Sequence, residues 1–140
     1  MKDALNKGVK IEYGGKRPKD LKGAYYLPTI VTNVKRTMSI WNEEVFGPVL
    51  PVVSFESEEK AVELANDTEY GLSAFIMTND KKRFDRIARQ IDSGAVAQNT
   101  VNYFNPKNPF GGYKHSGMGR LHAQYGFDEV TQAKLISQEK

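Results

Sequence analysis

The feature that most constrains the fold is the alternation of short apolar segments with amphipathic ones between residues 49 and 99. Residues 49–55, 72–78 and 95–99 are rich in the branched and aromatic side chains that favour strands. The segments between them begin at Ser57 and at Asn79 or Asp80, which are good helix N-caps, and their apolar residues recur three and four positions apart. This order predicts an α/β fold, an open sheet with β-α-β-α-β crossovers. Because residues 49–55 are almost continuously apolar, we expect that strand to be buried on both faces.

The rest of the chain extends this prediction. Residues 9–13 alternate apolar and polar side chains, and residues 25–34 are strand-like, with Pro28 placing them at an edge or a strand start. Residues 100–119 are rich in Gly, Pro and Asn and predict a long ordered loop, a kind of loop that is often functional. A short helix over 120–130 and a C-terminal strand over 133–137 follow. That strand can join the sheet of its own chain or the sheet edge of a neighbour, and the pattern leaves both open.

Composition excludes several classes of site and partner. The absence of cysteine excludes a disulfide framework, a Cys-based zinc site and a thiol nucleophile within these 140 residues. His115 and His122 are the only histidines, seven positions apart, so no metal site is predicted. No apolar run approaches the roughly 18 residues of a membrane span, and early charges rule out a signal peptide, which predicts a cytoplasmic protein without a membrane partner. The basic excess in residues 1–22 lies in turns without aromatic stacking platforms, so no nucleic-acid partner is expected.

Residues 41–48 (WNEEVFGP) are the first segment that could carry chemistry. A carboxylate at a strand entrance can accept both hydroxyls of a ribose diol, and an adjacent phenyl ring can pack on a flat heterocycle. Glu44 and Phe46 have these properties. The alternative is a surface Glu-Glu pair before a turn whose Phe46 belongs to the core, and the residues alone leave it open.

Residues 108–120 (NPFGGYKHSGMGR) are the second such segment. Four glycines in nine residues indicate positive φ angles or close backbone approach. The segment is not a Walker A loop, because no Lys-Ser/Thr pair follows residue 117, and it lacks the third glycine of a dinucleotide fingerprint. A purely structural loop therefore remains an alternative. No nucleophile-base-acid constellation is visible anywhere in the chain.

Together, three motifs resemble the C-terminal part of the aldehyde dehydrogenase superfamily: residues 43–50 (EEVFGPVL), 65–74 (ANDTEYGLSA) and 108–120. They occur in the order and at the spacing of that family. The resemblance implies that residues 1–132 are part of the catalytic domain and that residues 133–140 are a C-terminal oligomerisation strand. It also implies a parent enzyme that uses NAD or NADP to oxidise an aldehyde to a carboxylic acid, and that forms a homo-oligomer.

The resemblance assigns roles to individual residues. It implies that Glu44 hydrogen-bonds the nicotinamide ribose and that Phe46 packs near the nicotinamide ring. It implies that Phe104 and Phe110 line the aldehyde tunnel, with Tyr103 a weaker candidate. The family's nucleophilic cysteine, general base and dinucleotide domain have no counterpart here, so no catalytic residue is assigned in this chain and the chain alone is expected to be inactive. The alternative function is a stand-alone subunit-interaction module derived from the same fold.

Overall fold

A three-stranded sheet organises residues 1–57, the first of two compact units into which the chain divides. The computed structural model describes residues 1–139. The central strand of the sheet pairs with one neighbour in antiparallel and with the other in parallel orientation. The elements of this unit are α1 (Lys2–Asn6), β1 (Lys10–Tyr13), β2 (Thr29–Thr32), α2 (Ser39–Asn42) and β3 (Val49–Pro51), and β2 is the central strand.

The core of this first unit lies around β2. Val31 and Met38 are fully buried, and Ala4, Val9 and Ile40 complete the cluster. The one buried polar residue of the described chain is Thr29. Its Oγ1 donates to the Leu27 carbonyl at 2.7 Å and accepts the Gly15 N–H at 2.8 Å, so the burial leaves no hydrogen bond unmade.

A parallel pair of strands joined by a helix organises the second unit, residues 58–140. Ser73 pairs with Ala95 and Ile76 with Gln98. The crossover helix between the strands is capped by Asp80, whose Oδ1 accepts the Arg83 N–H at 3.0 Å. The elements are α3 (Glu58–Asn66), β4 (Tyr70–Gly71), β5 (Ser73–Ile76), α4 (Lys81–Ala88), β6 (Ala95–Gln98), β7 (Tyr113–Lys114) and α5 (Ala123–Glu129). β4 and β7 form a separate antiparallel pair.

The predicted α/β class is confirmed, and β5-α4-β6 is the predicted crossover. Two details differ. β3 is only three residues long and pairs with β2, whereas β5 and β6 pair with each other, so the described strands do not form one continuous sheet. The predicted burial of residues 49–55 on both faces is also wrong for this chain: Leu50 is 58% and Phe55 59% exposed.

The C-terminal strand predicted over 133–137 is not formed in the single chain. Residues 130–139 contain no helix or strand, and Leu135 and Ile136 are 91% and 77% exposed. A strand needs a partner for its backbone hydrogen bonds, and the described residues provide none to this segment. Residue 140, included in the predicted segment 133–140, lies outside the described residues.

Candidate functional site

The turn between α2 and β3 carries the first group of candidate residues, within residues 1–57. α2 ends at Asn42, and the N–H of the next residue, Glu43, donates to the Ser39 carbonyl at 2.8 Å. After the turn, the Pro48 carbonyl accepts the Thr29 N–H at 2.8 Å, which fixes the entrance to β3 against β2. Glu44 and Phe46 therefore lie on a short loop that is held at both ends.

Both sequence candidates in this turn are exposed. The Phe46 side chain is 94% exposed, so the interpretation of Phe46 as a core residue does not hold in this unit. Glu43 and Glu44 are exposed, and within residues 1–139 neither carboxylate has a hydrogen-bond or ion-pair partner. The two carboxylates line a cavity of about 180 Å³ together with Met1, Ser39, Ile40, Val45 and Val49.

This arrangement suits a polyhydroxylated ligand with a flat ring. A free carboxylate offers two acceptor oxygens to a pair of adjacent hydroxyls, and such charge-assisted bonds are stronger than neutral ones. An exposed phenyl ring two residues away offers an apolar face. The residues present thus fit the ribose and ring of a nicotinamide nucleotide.

The long loop after β6 carries the second group, within residues 58–140. The loop starts at Asn99, at φ +51°, whose side chain accepts the Thr78 N–H at 2.8 Å and donates to the Thr78 carbonyl at 2.9 Å. Further along, the Tyr103 hydroxyl hydrogen-bonds Ser73 Oγ at 2.5 Å. The loop is therefore anchored to the carboxyl ends and the face of the β5-β6 pair.

The loop brings the predicted tunnel residues together in an aromatic cluster, which we define as Phe75, Tyr103, Phe104, Phe110 and His122. Phe104 and Phe110 pack edge to face with ring centroids 5.4 Å apart, and Tyr103 lies 5.6 Å from Phe75 and 6.5 Å from Phe110. Phe104 is 55% exposed, whereas Phe110 is half-buried. The cluster therefore exposes the aromatic ring of Phe104, which packs on the half-buried ring of Phe110.

Glycines allow the second half of this loop to fold against the β5-β6 pair. A Cβ on Gly94 would lie 1.7 Å from the Gly111 carbonyl oxygen, and one on Gly112 would lie 2.5 Å from the Ser116 side chain. Close backbone approach therefore explains Gly111 and Gly112, and positive φ angles explain Gly117 and Gly119 of the glycine-rich segment. It holds Phe110 in place, so the structural interpretation and the binding interpretation of this segment are compatible.

Two residues, one that anchors the cluster and one that belongs to it, have roles that the sequence does not reveal. Ser73 is separated from Tyr103 by 30 positions, and no pattern in the sequence connects them. In the sequence, His122 bears only on the question of a metal site, whereas in the structure its ring packs against Phe104 and Phe110. The other histidine, His115, lies with its Nδ1 3.4 Å from a Glu69 carboxylate oxygen. Across the described residues, no three His, Cys, Asp or Glu side chains are grouped to hold a metal ion.

The chain belongs to the aldehyde dehydrogenase family. The model of the Aldehyde dehydrogenase family matches residues 1–136. Over 131 residues the chain is 47% identical to betaine aldehyde dehydrogenase 1 from Oryza sativa, covering 93% of this chain and 26% of the relative. Some other relatives carry "peroxisomal" or "chloroplastic" in their names.

Solved structures agree with this assignment. Betaine aldehyde dehydrogenase from Staphylococcus aureus in complex with NAD+ is 39% identical, with a TM-score of 0.87, over 92% of this chain and 26% of that one. Aldehyde dehydrogenase from Mycobacterium tuberculosis complexed with NAD+ is 38% identical, with a TM-score of 0.88, over 94% of this chain and 27% of that one. The chain thus spans about a quarter of the length of the proteins it matches. None of its described helices is long and apolar enough to cross a membrane.

Proposed function

We propose that this chain acts as the C-terminal part of an NAD(P)-dependent aldehyde dehydrogenase that oxidises an aldehyde to a carboxylic acid. One observation carries the proposal: in a member of this family, the unpaired Glu44 carboxylate and the 94% exposed Phe46 ring share one anchored turn. An unpaired carboxylate beside an exposed ring contributes little to the stability of its own unit. A ligand that binds to both the Glu44 carboxylate and the Phe46 ring would account for this arrangement.

Glu44 accepts hydrogen bonds from the two hydroxyls of the nicotinamide ribose, and Phe46 packs near the nicotinamide ring. NAD or NADP, when bound, supplies the hydride acceptor for the reaction. This chain contributes by orienting the nicotinamide ring. Because the ring is held through its ribose, it has few alternative positions relative to the aldehyde carbon. The NAD+ complexes of the two structural neighbours favour NAD as the first cofactor to test.

Phe104 and Phe110, with Tyr103 behind them, form one wall of the aldehyde pocket. Aromatic faces attract quaternary ammonium groups as well as apolar ones. Because two of the similar proteins are named betaine aldehyde dehydrogenases, betaine aldehyde is the first substrate to test. 3,3-Dimethylbutanal has the same shape without the charge and separates cation recognition from simple packing.

The bond-making groups of the reaction come from outside these 140 residues in this proposal. The chain has no cysteine, so a thiol nucleophile has to be provided by other residues, as do the general base and the dinucleotide domain. Residues 1–132 then act as part of the catalytic domain, and the chain alone does not oxidise aldehydes.

Residues 133–140 serve as the oligomerisation strand of a cytoplasmic homo-oligomer in the same proposal. The exposure of Leu135 and Ile136 supports this role, because apolar side chains beside an unpaired backbone invite strand addition by a neighbouring subunit. The same exposure favours the second candidate, a stand-alone subunit-interaction module. Deletion of residues 133–140 is expected to lower the oligomeric order measured by light scattering in either case.

A chimera tests the enzyme proposal directly. Residues 1–136 replace the matching C-terminal segment of the Staphylococcus aureus enzyme, and NADH formation is measured with betaine aldehyde and with 3,3-dimethylbutanal. The control joins the host's own segment at the same junction. A folded chimera that oxidises aldehydes supports the proposal, and a folded but inactive one contradicts it.

The molecular mass of the protein that contains this chain in its source cells distinguishes the enzyme proposal from the interaction module. An antibody against this chain, used on extracts of the source cells, is expected to detect a species several times heavier than the 15.8 kDa of these residues. A single 15.8 kDa species bound to another protein favours the interaction module instead.

A further inference from the structure

His122 combines two costly features at one residue. Its backbone has φ +69° and ψ 164°, a region that is almost exclusive to glycine, and the next residue, Ala123, is also left-handed, at φ +50°. In addition, His122 Nδ1 is buried and has no hydrogen-bond partner within the described residues. A buried polar atom without a partner costs free energy, as does a strained backbone, so neither feature is explained by stability.

The surrounding hydrogen bonds hold this strained conformation in place. Leu121 and Phe110 exchange both of their backbone hydrogen bonds, at 2.7 and 2.8 Å, and the Ala123 N–H donates to the Pro106 carbonyl at 3.2 Å. The Gly126 N–H donates to the His122 carbonyl at 2.8 Å. The backbone on both sides of His122 is thus fixed to the loop that carries the aromatic cluster.

The strain orients the imidazole ring against the two predicted pocket residues. The ring packs edge to face on Phe104 at a centroid distance of 4.9 Å, with an interplanar angle of 85°. It lies nearly parallel to Phe110 at 6.0 Å and 28°. His122 is therefore the ring that contacts both Phe104 and Phe110, and removing it leaves a gap beside each of them.

We propose that His122 is a specificity-positioning residue: its strained backbone fixes a ring that sets the relative orientation of Phe104 and Phe110, and through them the width of the aldehyde pocket. This inference rests on the proposed function, because it takes Phe104 and Phe110 as the wall of that pocket. Sites where local conformation and polar pairing are both unfavourable are often functional. The residue acts through its two neighbours, and the substrate class it discriminates is aldehydes with a bulky, branched tail.

The test compares His122→Ala with His122→Phe in the chimera, with propanal as a small aldehyde and betaine aldehyde and 3,3-dimethylbutanal as bulky ones. His122→Ala is expected to raise KM for the bulky aldehydes by about tenfold, since their tails lose a fixed wall, while KM for propanal and all kcat values change little. His122→Phe keeps an aromatic ring at this position and is expected to restore the bulky-to-small KM ratio. His115→Ala, the matched histidine control, leaves the ratio unchanged. Equal KM changes for small and bulky aldehydes, or no rescue by phenylalanine, overturn the proposal.

A second measurement on the 140-residue chain distinguishes failure of this inference from failure of the proposed function. Nuclear Overhauser contacts between the Phe104 and Phe110 rings are expected in the wild type and in His122→Phe, and are expected to be lost in His122→Ala. Contacts that persist in His122→Ala overturn the positioning role, whatever the chimera does. A chimera inactive towards every aldehyde contradicts the proposed function, and the ring contacts then decide the role of His122 alone.

Discussion

The Tyr103 hydroxyl lies 2.5 Å from Ser73 Oγ, across 30 positions of sequence, and ties the aromatic loop to β5. Tyr103 also packs against Phe75 and Phe110, so this one side chain connects the strand pair to the candidate pocket wall. The position of Phe110 relative to the sheet therefore depends on a hydrogen bond that joins two distant segments of the chain.

A double-mutant cycle measures this connection. Ser73→Ala leaves a half-buried phenolic hydroxyl without its partner, so we expect a loss of about 1–3 kcal/mol in the free energy of unfolding. Tyr103→Phe keeps the ring contacts, and the double variant is expected to be more stable than the sum of the single losses predicts, because no hydroxyl is then left unpaired. Urea unfolding of the wild type, the two single variants and the double variant gives the coupling free energy between the two side chains. Strictly additive losses would show that the two hydroxyls do not depend on each other.

Gly94→Ala is expected to destabilise the second unit severely. The new methyl group would lie 1.7 Å from the Gly111 carbonyl oxygen, and backbone on both sides has to move. Overpacking of this kind costs typically 1–3 kcal/mol, and because the clash is with backbone we expect more than about 3 kcal/mol.

Gly47→Ala is the matched control for this clash, because a Cβ there meets nothing within 4 Å and the residue has no positive φ. Its effect on unfolding is expected to stay within about 0.5 kcal/mol, as for ordinary surface changes. Chemical denaturation of both variants checks the pair. A Gly94→Ala protein as stable as Gly47→Ala would show that residues 111–112 do not pack on Gly94 in solution.

The Asp80 cap of α4 predicts a pH-dependent contribution to stability. The Arg83 N–H that Asp80 accepts holds the pKa of the Asp80 carboxyl below its ordinary value. A carboxyl whose pKa is lower in the folded than in the unfolded protein stabilises the folded state. The stabilisation is complete at pH values above the unfolded-state pKa, and it is lost as the pH falls through the folded-state pKa. Asp80→Ala should therefore lower the thermal unfolding midpoint at neutral pH and match the wild type at strongly acidic pH.

Two variants control this prediction. Asp80→Asn keeps an acceptor oxygen for the helix cap but has no titrating group. The stabilisation of α4 by the asparagine cap is therefore expected to persist in acid. Asp85→Ala removes an exposed carboxylate from the same helix but leaves the Asp80–Arg83 hydrogen bond in place, so the loss of stability in acid is expected to remain. A pH profile of Asp80→Ala parallel to that of the wild type would remove Asp80 as the source of the dependence.

Glu44→Gln is expected to slow the chemical step in the active chimera. A neutral amide offers one acceptor oxygen where the carboxylate offers two, so the ribose is held less well. A misplacement of the ring on the order of 1 Å can cost about 10²-fold in rate. We expect kcat to fall more than cofactor affinity, measured by single-turnover NADH formation and by NAD+ titration.

Glu43→Gln is the control for Glu44, because the two neighbouring carboxylates line the same cavity. We expect near wild-type turnover from Glu43→Gln. If the two variants lose the same rate, or if Glu44→Gln turns over normally, Glu44 is not the ribose ligand.

Local features were predictable from the sequence because they depend on neighbouring residues. The 3.6-residue period of α4, its Asp80 cap and the branched residues of β5 and β6 follow from side-chain spacing and backbone preference. The start of α4 and both ends of β5 and β6 lie within two residues of their predicted positions. The motifs that resemble the aldehyde dehydrogenase family are likewise short and contiguous. They predicted family membership, which the match over residues 1–136 shows.

Only the tertiary structure decided which segments meet. The Ser73–Tyr103 hydrogen bond, the placement of His122 between Phe104 and Phe110, and the pairing of β3 with β2 all join residues between 12 and 30 positions apart. An apolar pattern indicates which side chains can be buried, not what packs against them, so residues 49–55 predict a buried strand whereas residues 50–55 are exposed. The conformation of a loop is set by backbone hydrogen bonds to distant partners. The sequence pattern around His122 therefore does not indicate its strained backbone.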